Sequence, residues 1–329
     1  MLRILHISDF HLVSGSATVS GVFSFLSSQG FPILAQYYGF ADQIVQAALP
    51  IELARIASGV PSIVALTGDI AAWPYDAPPL IDADYHPYVQ SLAAALPPTS
   101  KTLPILGNHD WEIPLITVST PFLQTNFQTD YEIADSRVRV FAANDLHVVF
   151  FLIDSNRGII PATGEVTPQT RSFLGQAFAD GRTGQLGISD SEYDAAIKLL
   201  LLHHSPLPYH EYGGSLSRRD ARSLELTNAL PLLDLCKDDV DILLFGHTHI
   251  ATVKSFRGFI AIDGGTALAR LGTHQTTCTL HMIDLLDKNS VQVQSFHWMR
   301  GSFGSQGNSP TTFQRGRVTT PVLGHGRWG

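Results

Sequence analysis

The chain has 329 residues, 44% of them apolar and 15% charged. That is enough apolar content to bury a large core, which excludes the disordered and the small disulfide-stapled classes. Its 21 Lys and Arg against 29 Asp and Glu leave a net charge of −8, and the basic residues are scattered, so no nucleic-acid partner is expected.

Leu2–Ile7 reads as a first strand and ends in Ser8-Asp9-Phe10-His11. Asp9 interrupts the N-terminus before the apolar region of a signal peptide is complete, and no run of 18 apolar residues marks a membrane span. The stretch Leu12–Phe40 gathers Phe23, Phe25, Phe31, Tyr37, Tyr38 and Phe40 among Gly and Ser, with no clean period. This aromatic-rich insertion is open to use as a lid, as core packing or as a contact within a homo-oligomer; it has no basic face for a membrane surface. A helix is expected over Ala41–Ser58, kinked or split at Pro50, and then a strand Ser62–Leu66 that runs into Thr67-Gly68-Asp69. A helix over Asp84–Leu96 precedes strand Leu103–Leu106, which ends in Gly107-Asn108-His109-Asp110. Residues 111–146 show no regular pattern.

Strand His147–Ile153, helices Pro168–Phe178 and Asp190–Lys198, and strand Lys198–Leu202 follow, the last ending in His203-His204-Ser205-Pro206. A helix over Arg219–Cys236 leads to strand Asp241–Phe245 and Gly246-His247-Thr248-His249. Strands Phe259–Ile262, Cys278–Ile283 and Val291–Phe296 complete the alternation, the last half exposed by its pattern. From Gly301 to Gly329 the composition turns to a Gly/Ser/Thr-rich tail, extended or poorly ordered. The pattern is layered α/β, read as one domain over 1–300 with an insertion at about 12–40. Cys236 and Cys278 lie far apart without a CxxC partner, which points away from a disulfide framework and towards a reducing, cytoplasmic setting.

Five of the apolar runs end abruptly in residues that bind metal. In a layered sheet the strand C-termini open onto one crevice, so these ends would deliver their side chains to a single site. Carboxylates, imidazoles and one carboxamide without a thiolate suit Mn, Fe or Zn ions. Seven such side chains are too many for one ion and about right for two with a shared carboxylate.

The ordered set DxH, GD, GNHD, HH and GHxH, spanning Asp9 to His249, resembles the calcineurin-like metallophosphoesterase superfamily. The resemblance implies a four-layer α/β/β/α sandwich of two mixed β-sheets flanked by helices. It also implies a cofactor of two divalent or mixed-valence transition-metal ions at the strand ends. Carried across residue by residue, it puts Asp9, His11 and His249 on one ion, Asn108, His203 and His247 on the other, and Asp69 between them. In the family the ligand of the fourth block ends its strand shortly before a proline, which favours His203 over His204. His204 is then left behind the ligands or turned towards the substrate.

Two cations of this kind lower the pKa of a bridging water and clamp the oxygens of a phosphate ester for in-line displacement. The family counterpart of His109 protonates or stabilises the leaving group; Asp110 either orients that ring or is a turn residue. Arg157, Arg218 and Arg219 are candidate phosphate contacts against the ordinary reading of solvated charges. The GNHD and HHxP blocks resemble most closely a bacterial branch of class III cyclic-nucleotide and glycerophosphodiester phosphodiesterases. A small phosphate ester is the expected substrate, with phosphodiester hydrolysis ahead of phosphomonoester or nucleotide pyrophosphate hydrolysis. A metal-free binding scaffold and a DNA nuclease stand behind these, the first disfavoured by the filled ligand positions and the second by the acidic balance. His6, His147, His281 and His297 lie in strands outside the motifs and are expected to serve packing.

Overall fold

Runs such as Leu2–Ile7 and Ser62–Thr67 are apolar at both alternating sets of positions, and every residue of both is buried. That is the signature of strands covered on two faces. The computed structural model describes residues 1–12, 40–71, 81–110, 125–133, 136–143, 145–157, 163–213, 224, 226–270, 277–305 and 309–315.

In chain order the elements begin with β1 (Leu2–Ile7), β2 (Phe40–Ala41), α1 (Gln43–Ala57), β3 (Ser62–Thr67), α2 (His86–Ala94), β4 (Lys101–Ile105) and α3 (Asn126–Tyr131). Next come β5 (Ser136–Ala143), β6 (Leu146–Ile153), α4 (Pro168–Arg182), α5 (Asp190–Ala195), β7 (Ile197–Leu201), α6 (Ala229–Cys236) and β8 (Ile242–Phe245). The last are β9 (Thr252–Phe256), β10 (Phe259–Asp263), β11 (Ala269–Arg270), β12 (Thr279–Asp287), β13 (Ser290–Met299), β14 (Ser302–Gly304) and β15 (Thr311–Gln314).

Two mixed sheets result. The first has the order β14-β13-β12-β1-β3-β4, with β15 also on β13, and the second the order β5-β6-β7-β8-β10-β9. Strands β1, β3 and β4 are mutually parallel, as are β6, β7, β8 and β10. The period-2 alternation sorts their side chains into layers. Ile4, Ile63 and Ile105 meet Phe150, Leu201, Leu244 and Ile262 between the sheets. On the outer face of the first sheet, Leu5, Ile7 and Leu66 pack against Val45, Leu53 and Val89 of α1 and α2. Phe151, Leu200 and Phe245 do the same against Leu174, Phe178 and Leu233 of α4 and α6. The architecture is helix, sheet, sheet, helix, as expected, and among the described residues no helix is long and apolar enough to cross a membrane.

Several boundaries differ from the sequence reading. Helix α1 runs unbroken through Pro50. A proline lacks the N–H that would bond the carbonyl four residues back, and here the freed Gln46 carbonyl accepts the Tyr88 hydroxyl of α2 at 3.0 Å. The helix expected over Asp190–Lys198 stops at Ala195, because Ile197 already pairs with Val148 in the second sheet. The one expected over Arg219–Cys236 lies partly outside the described residues; within them it is interrupted at Leu226, which forms a bridge with Gly164, and the helix α6 begins only at Ala229. The stretch 111–146 is not irregular throughout: it holds α3 and β5. Most of the aromatic-rich 12–40 stretch lies outside the described residues. Within the Gly/Ser/Thr-rich C-terminal stretch, 302–304 and 311–314 add short strands beside β13.

Candidate metal centre

The parallel strands of each sheet release their chains at one edge, where the polar blocks turn sharply. Asp9, His11, Asp69, His247 and His249 all have φ between 49° and 73°. Such left-handed backbone in non-glycine residues is strained and concentrates where function requires it. Tight approach accompanies it. A Cβ on Gly107 would lie 2.2 Å from Asp69 Oδ1, and one on Gly68, at φ +94°, would lie 2.5 Å from His203 Nδ1. Glycine is needed at both places for the loops to close on one another.

Two donor sets result. Asp9, His11, Asp69 and His249 each offer an atom within 4.8 Å of the others. His11 Nε2 lies 3.0 Å from His249 Nε2, which is 3.0 Å from Asp9 Oδ1. On the other side, His203 Nε2 is 2.9 Å from Asn108 Oδ1, 3.1 Å from His247 Nδ1 and 3.3 Å from Asp69 Oδ1. Asp69 thus faces the second set with Oδ1, while its Oδ2 lies 3.8 Å from His11 Nε2.

These residues fit a pair of cations. Asp9 Oδ1 and Asp69 Oδ2 are buried and receive no hydrogen bond among the described residues, a costly state for carboxylate oxygens unless a cation answers it. The donors are oxygen and imidazole nitrogen only, a set for borderline first-row ions. Their orientation is fixed from behind. The Nδ1 of His203 donates to the Thr67 carbonyl at 2.7 Å, which leaves Nε2 as the nitrogen turned to the centre. Asp9 Oδ2 accepts the His247 amide at 3.0 Å and the Ser8 hydroxyl, and Asp69 Oδ1 accepts the His109 amide at 3.0 Å.

The electrostatics point the same way. Burial alone would raise the Asp9 carboxyl, yet the His249 imidazole, with His11 and His203, holds it well below the usual carboxylate range. Asp69 is likewise held low, against burial, chiefly by His203 and His109. In return, Asp69 and Asp9 overcome burial at His203 and push its imidazole up to about 9. Burial wins at His11, lowered to about 4, and at His247, lowered to about 3. The carboxylates therefore create a field that favours positive charge in the pocket.

His109 borders the first set, its ring edge-on to His11 at 4.7 Å and its Nε2 3.9 Å from Asp69 Oδ2, with 16% of the side chain exposed. Asp110 is buried, and its two oxygens accept the amides of Gly107 at 2.8 Å, Ala71 at 2.9 Å and Ile70 at 3.2 Å. It ties the third block to the second, which is what a turn residue does. Burial, with Asp69 nearby, pushes its carboxyl up to about 7. His204 is fully buried, with burial and the neighbouring His247 and His203 holding its imidazole neutral. Arg157 bonds Asp154 at 2.9 Å, and Arg218 and Arg219 lie outside the described residues. His6 and His281 are buried and stacked at 6.0 Å. His147 lies 3.8 Å from Glu192, and His297 is 3.0 Å from the Thr279 hydroxyl. None of these four is in either donor set.

Residues that sequence reasoning passed over also shape the site. The end of β6 is a sixth polar block, Asp154-Ser155-Asn156. The Ser155 hydroxyl meets His203 and His204, and the Asn156 amide donates to the Leu106 carbonyl at 2.8 Å. At the end of β10, Asp263 accepts the Thr248 hydroxyl at 2.6 Å and the Tyr212 hydroxyl at 2.8 Å. Their signal was an apolar run ending in polar residues, but Ser and Asn there look like ordinary turn chemistry.

The calcineurin-like phosphoesterase family model matches residues 2–251. The chain belongs to that family. No curated protein matches the sequence. Among solved structures, this family member is similar to the purple acid phosphatase PPD1 from yellow lupin, with 13% identity and a TM-score of 0.52 over 94% of this chain and 53% of the other. It is also similar to GAP50, the anchor in the inner membrane complex of Plasmodium, with 12% identity and a TM-score of 0.50 over 92% and 86%. A Vps29 variant from Entamoeba histolytica has 14% identity and a TM-score of 0.40 over 95% and 100%. The chain spans about half of the lupin phosphatase, and the likenesses to that phosphatase and to GAP50 show the fold alone.

Proposed function

We propose that the chain is a dinuclear metal-dependent phosphoric ester hydrolase acting on phosphodiesters. The observation that carries the dinuclear reading is Asp69, whose two oxygens face two separate donor sets. Asp9, His11 and His249 would complete one ion and Asn108, His203 and His247 the other. Bound there, two first-row cations supply Lewis-acid polarisation of a phosphoryl group and acidify water.

The protein's own contributions follow from the geometry. Asp69 and Asp9, both buried, bring negative charge to the centre, which would attract and hold two cations close together. The Thr67 carbonyl and the His247 amide keep His203 and Asp9 in their orientations. His109, beside the first set and partly exposed, is placed to donate a proton or a hydrogen bond to a leaving oxygen. The preference for diesters rests on the GNHD and HHxP blocks; a phosphomonoesterase or nucleotide pyrophosphatase would use the same site.

Elemental analysis after metal loading is expected to approach two equivalents per chain, and the bis-para-nitrophenyl ester is expected to show the higher kcat/KM against the mono ester. Fewer than one equivalent in a folded protein would point to a metal-free scaffold. A higher kcat/KM on the mono ester would reverse the substrate ranking.

A further inference from the structure

Ser155 is fully buried and its hydroxyl oxygen sits where three nitrogens meet. The amides of His203 and His204 each lie 3.2 Å from it, and His204 Nδ1 lies 3.0 Å away. A serine hydroxyl has two lone pairs and one proton. The amides can only donate, so they occupy both lone pairs, and the proton is left for the third contact. His204 Nδ1 must then be the acceptor. An imidazole that accepts at Nδ1 is neutral and carries its proton on Nε2.

That Nε2 is buried and has no partner among the described residues. The ring is held in place: its centroid is 4.4 Å from that of His247, and a Cβ on Gly164 would come within 2.4 Å of His204 Cγ. Ser155 lies on the Nδ1 side, so Nε2 is turned away from it. One nitrogen each of His203, His204 and His247 lie within 4.8 Å of one another. A ligand would need a lone pair at Nε2, and a buried N–H needs an acceptor that none of the described residues supplies there.

We propose that Ser155 is a positioning residue that fixes His204 as the neutral Nε2–H tautomer. His204 then serves the centre as a hydrogen-bond donor to a phosphoryl or water oxygen and not as a metal ligand. The inference rests on the dinuclear reading for its second half alone. It separates the two adjacent histidines by chemistry: His203 donates its Nδ1 proton to Thr67 and turns to the donor set an Nε2 where a cation can replace a proton, whereas His204 accepts a hydrogen bond from Ser155 at Nδ1 and keeps its proton on Nε2.

Histidine ¹⁵N–¹H correlation spectra of the metal-free and zinc-loaded protein test this directly. His204 is expected to show an unprotonated Nδ1 and a protonated Nε2 in both, and Ser155→Ala is expected to lose that preference. His204→Gln, which keeps a donor near Nε2, should retain the zinc content of the wild type and bind inorganic phosphate almost as well. His204→Leu should retain zinc but bind phosphate about tenfold more weakly, the loss of one hydrogen bond to an anion. A proton on Nδ1, or loss of a zinc equivalent in His204→Gln, would make His204 a ligand and overturn the proposal. Unchanged phosphate affinity in His204→Leu would overturn the donor role. A wild-type protein that takes up one ion or none sinks the dinuclear reading instead, and the tautomer measured without metal still decides the part played by Ser155.

Discussion

At the scale of single residues, adjacent side chains of the same type are given different work by what stands behind them. Asn108, His109 and Asp110 occupy one short turn, yet the first faces His203, the second borders the opposite donor set and the third clamps three backbone amides. His109 is the one whose ring is partly open, and its proposed part is at the leaving oxygen. His109→Ala is therefore expected to lower kcat far more for an alkyl ester than for a para-nitrophenyl ester, by a factor on the order of 10² or more for the former. Para-nitrophenolate scarcely needs protonation. Equal losses for both leaving groups, in the same kinetic comparison, would assign the ring to charge stabilisation and not to proton donation.

At the scale of elements, local rules failed where a tertiary contact made good the deficit. Nothing near Pro50 in the sequence announces that Tyr88, on the next long helix, will bond the carbonyl the proline leaves free. Tyr88 also sets its ring edge-on against Phe10, between Asp9 and His11, at 6.0 Å, so the helix pair supports the first metal block. Tyr88→Phe is expected to cost about 1–3 kcal/mol, the penalty of an unsatisfied carbonyl. In a Pro50→Ala background the cost should fall, since the backbone N–H restored by the alanine can donate to the Gln46 carbonyl itself; denaturant midpoints of the four proteins give the coupling.

The buried strands were legible because apolar runs without alternation have few other uses. The edge strands β5 and β9 were not, because Arg137, Arg139 and Lys254 interrupt them, as edges require. The metal blocks were legible as strand ends, while Ser155 and Asp263 were hidden among common turn residues. His281 on β12, opposite His6 on β1, illustrates a further element-scale effect. Burial lowers it to about 4, against about 6.5 in an unfolded chain. Between those values only the unfolded state binds the proton, so stability is lost as pH falls through 6.5 and the loss ends near 4. His281→Gln should shrink the fall in unfolding free energy between pH 7 and pH 5 by about 2 kcal/mol. An unchanged fall would show that the ring is not kept neutral by its burial.

At the scale of the whole molecule, each proposed ion would join the two sheets. Asp9, His11, Asp69 and Asn108 follow strands of the first sheet, whereas His203, His247 and His249 follow strands of the second. Elsewhere the sheets are tied by Arg315, after β15, which bonds Asp241 before β8 at 2.8 Å, and by Arg137 of β5, which donates to the Pro104 carbonyl of β4. At the metal edge, the protein alone has two buried carboxylates and a crowd of imidazoles, so without cations it must take up protons to balance the charge, at His203 above all. Metal loading should therefore release protons and stabilise the fold, since ions that bind only the native state add RT ln(1 + [L]/Kd), about 2.7 kcal/mol at a hundredfold excess over Kd. Thermal unfolding with metal and with EDTA measures this, and a clear rise in Tm with metal is expected for the wild type. Asp69→Ala removes a donor from both sets and one buried negative charge. Its Tm should then hardly respond to metal while its metal-free form unfolds near the wild-type temperature or above it. A variant that still gains the full stabilisation would show that Asp69 does not join the two sets, and that an ion held without it accounts for the effect.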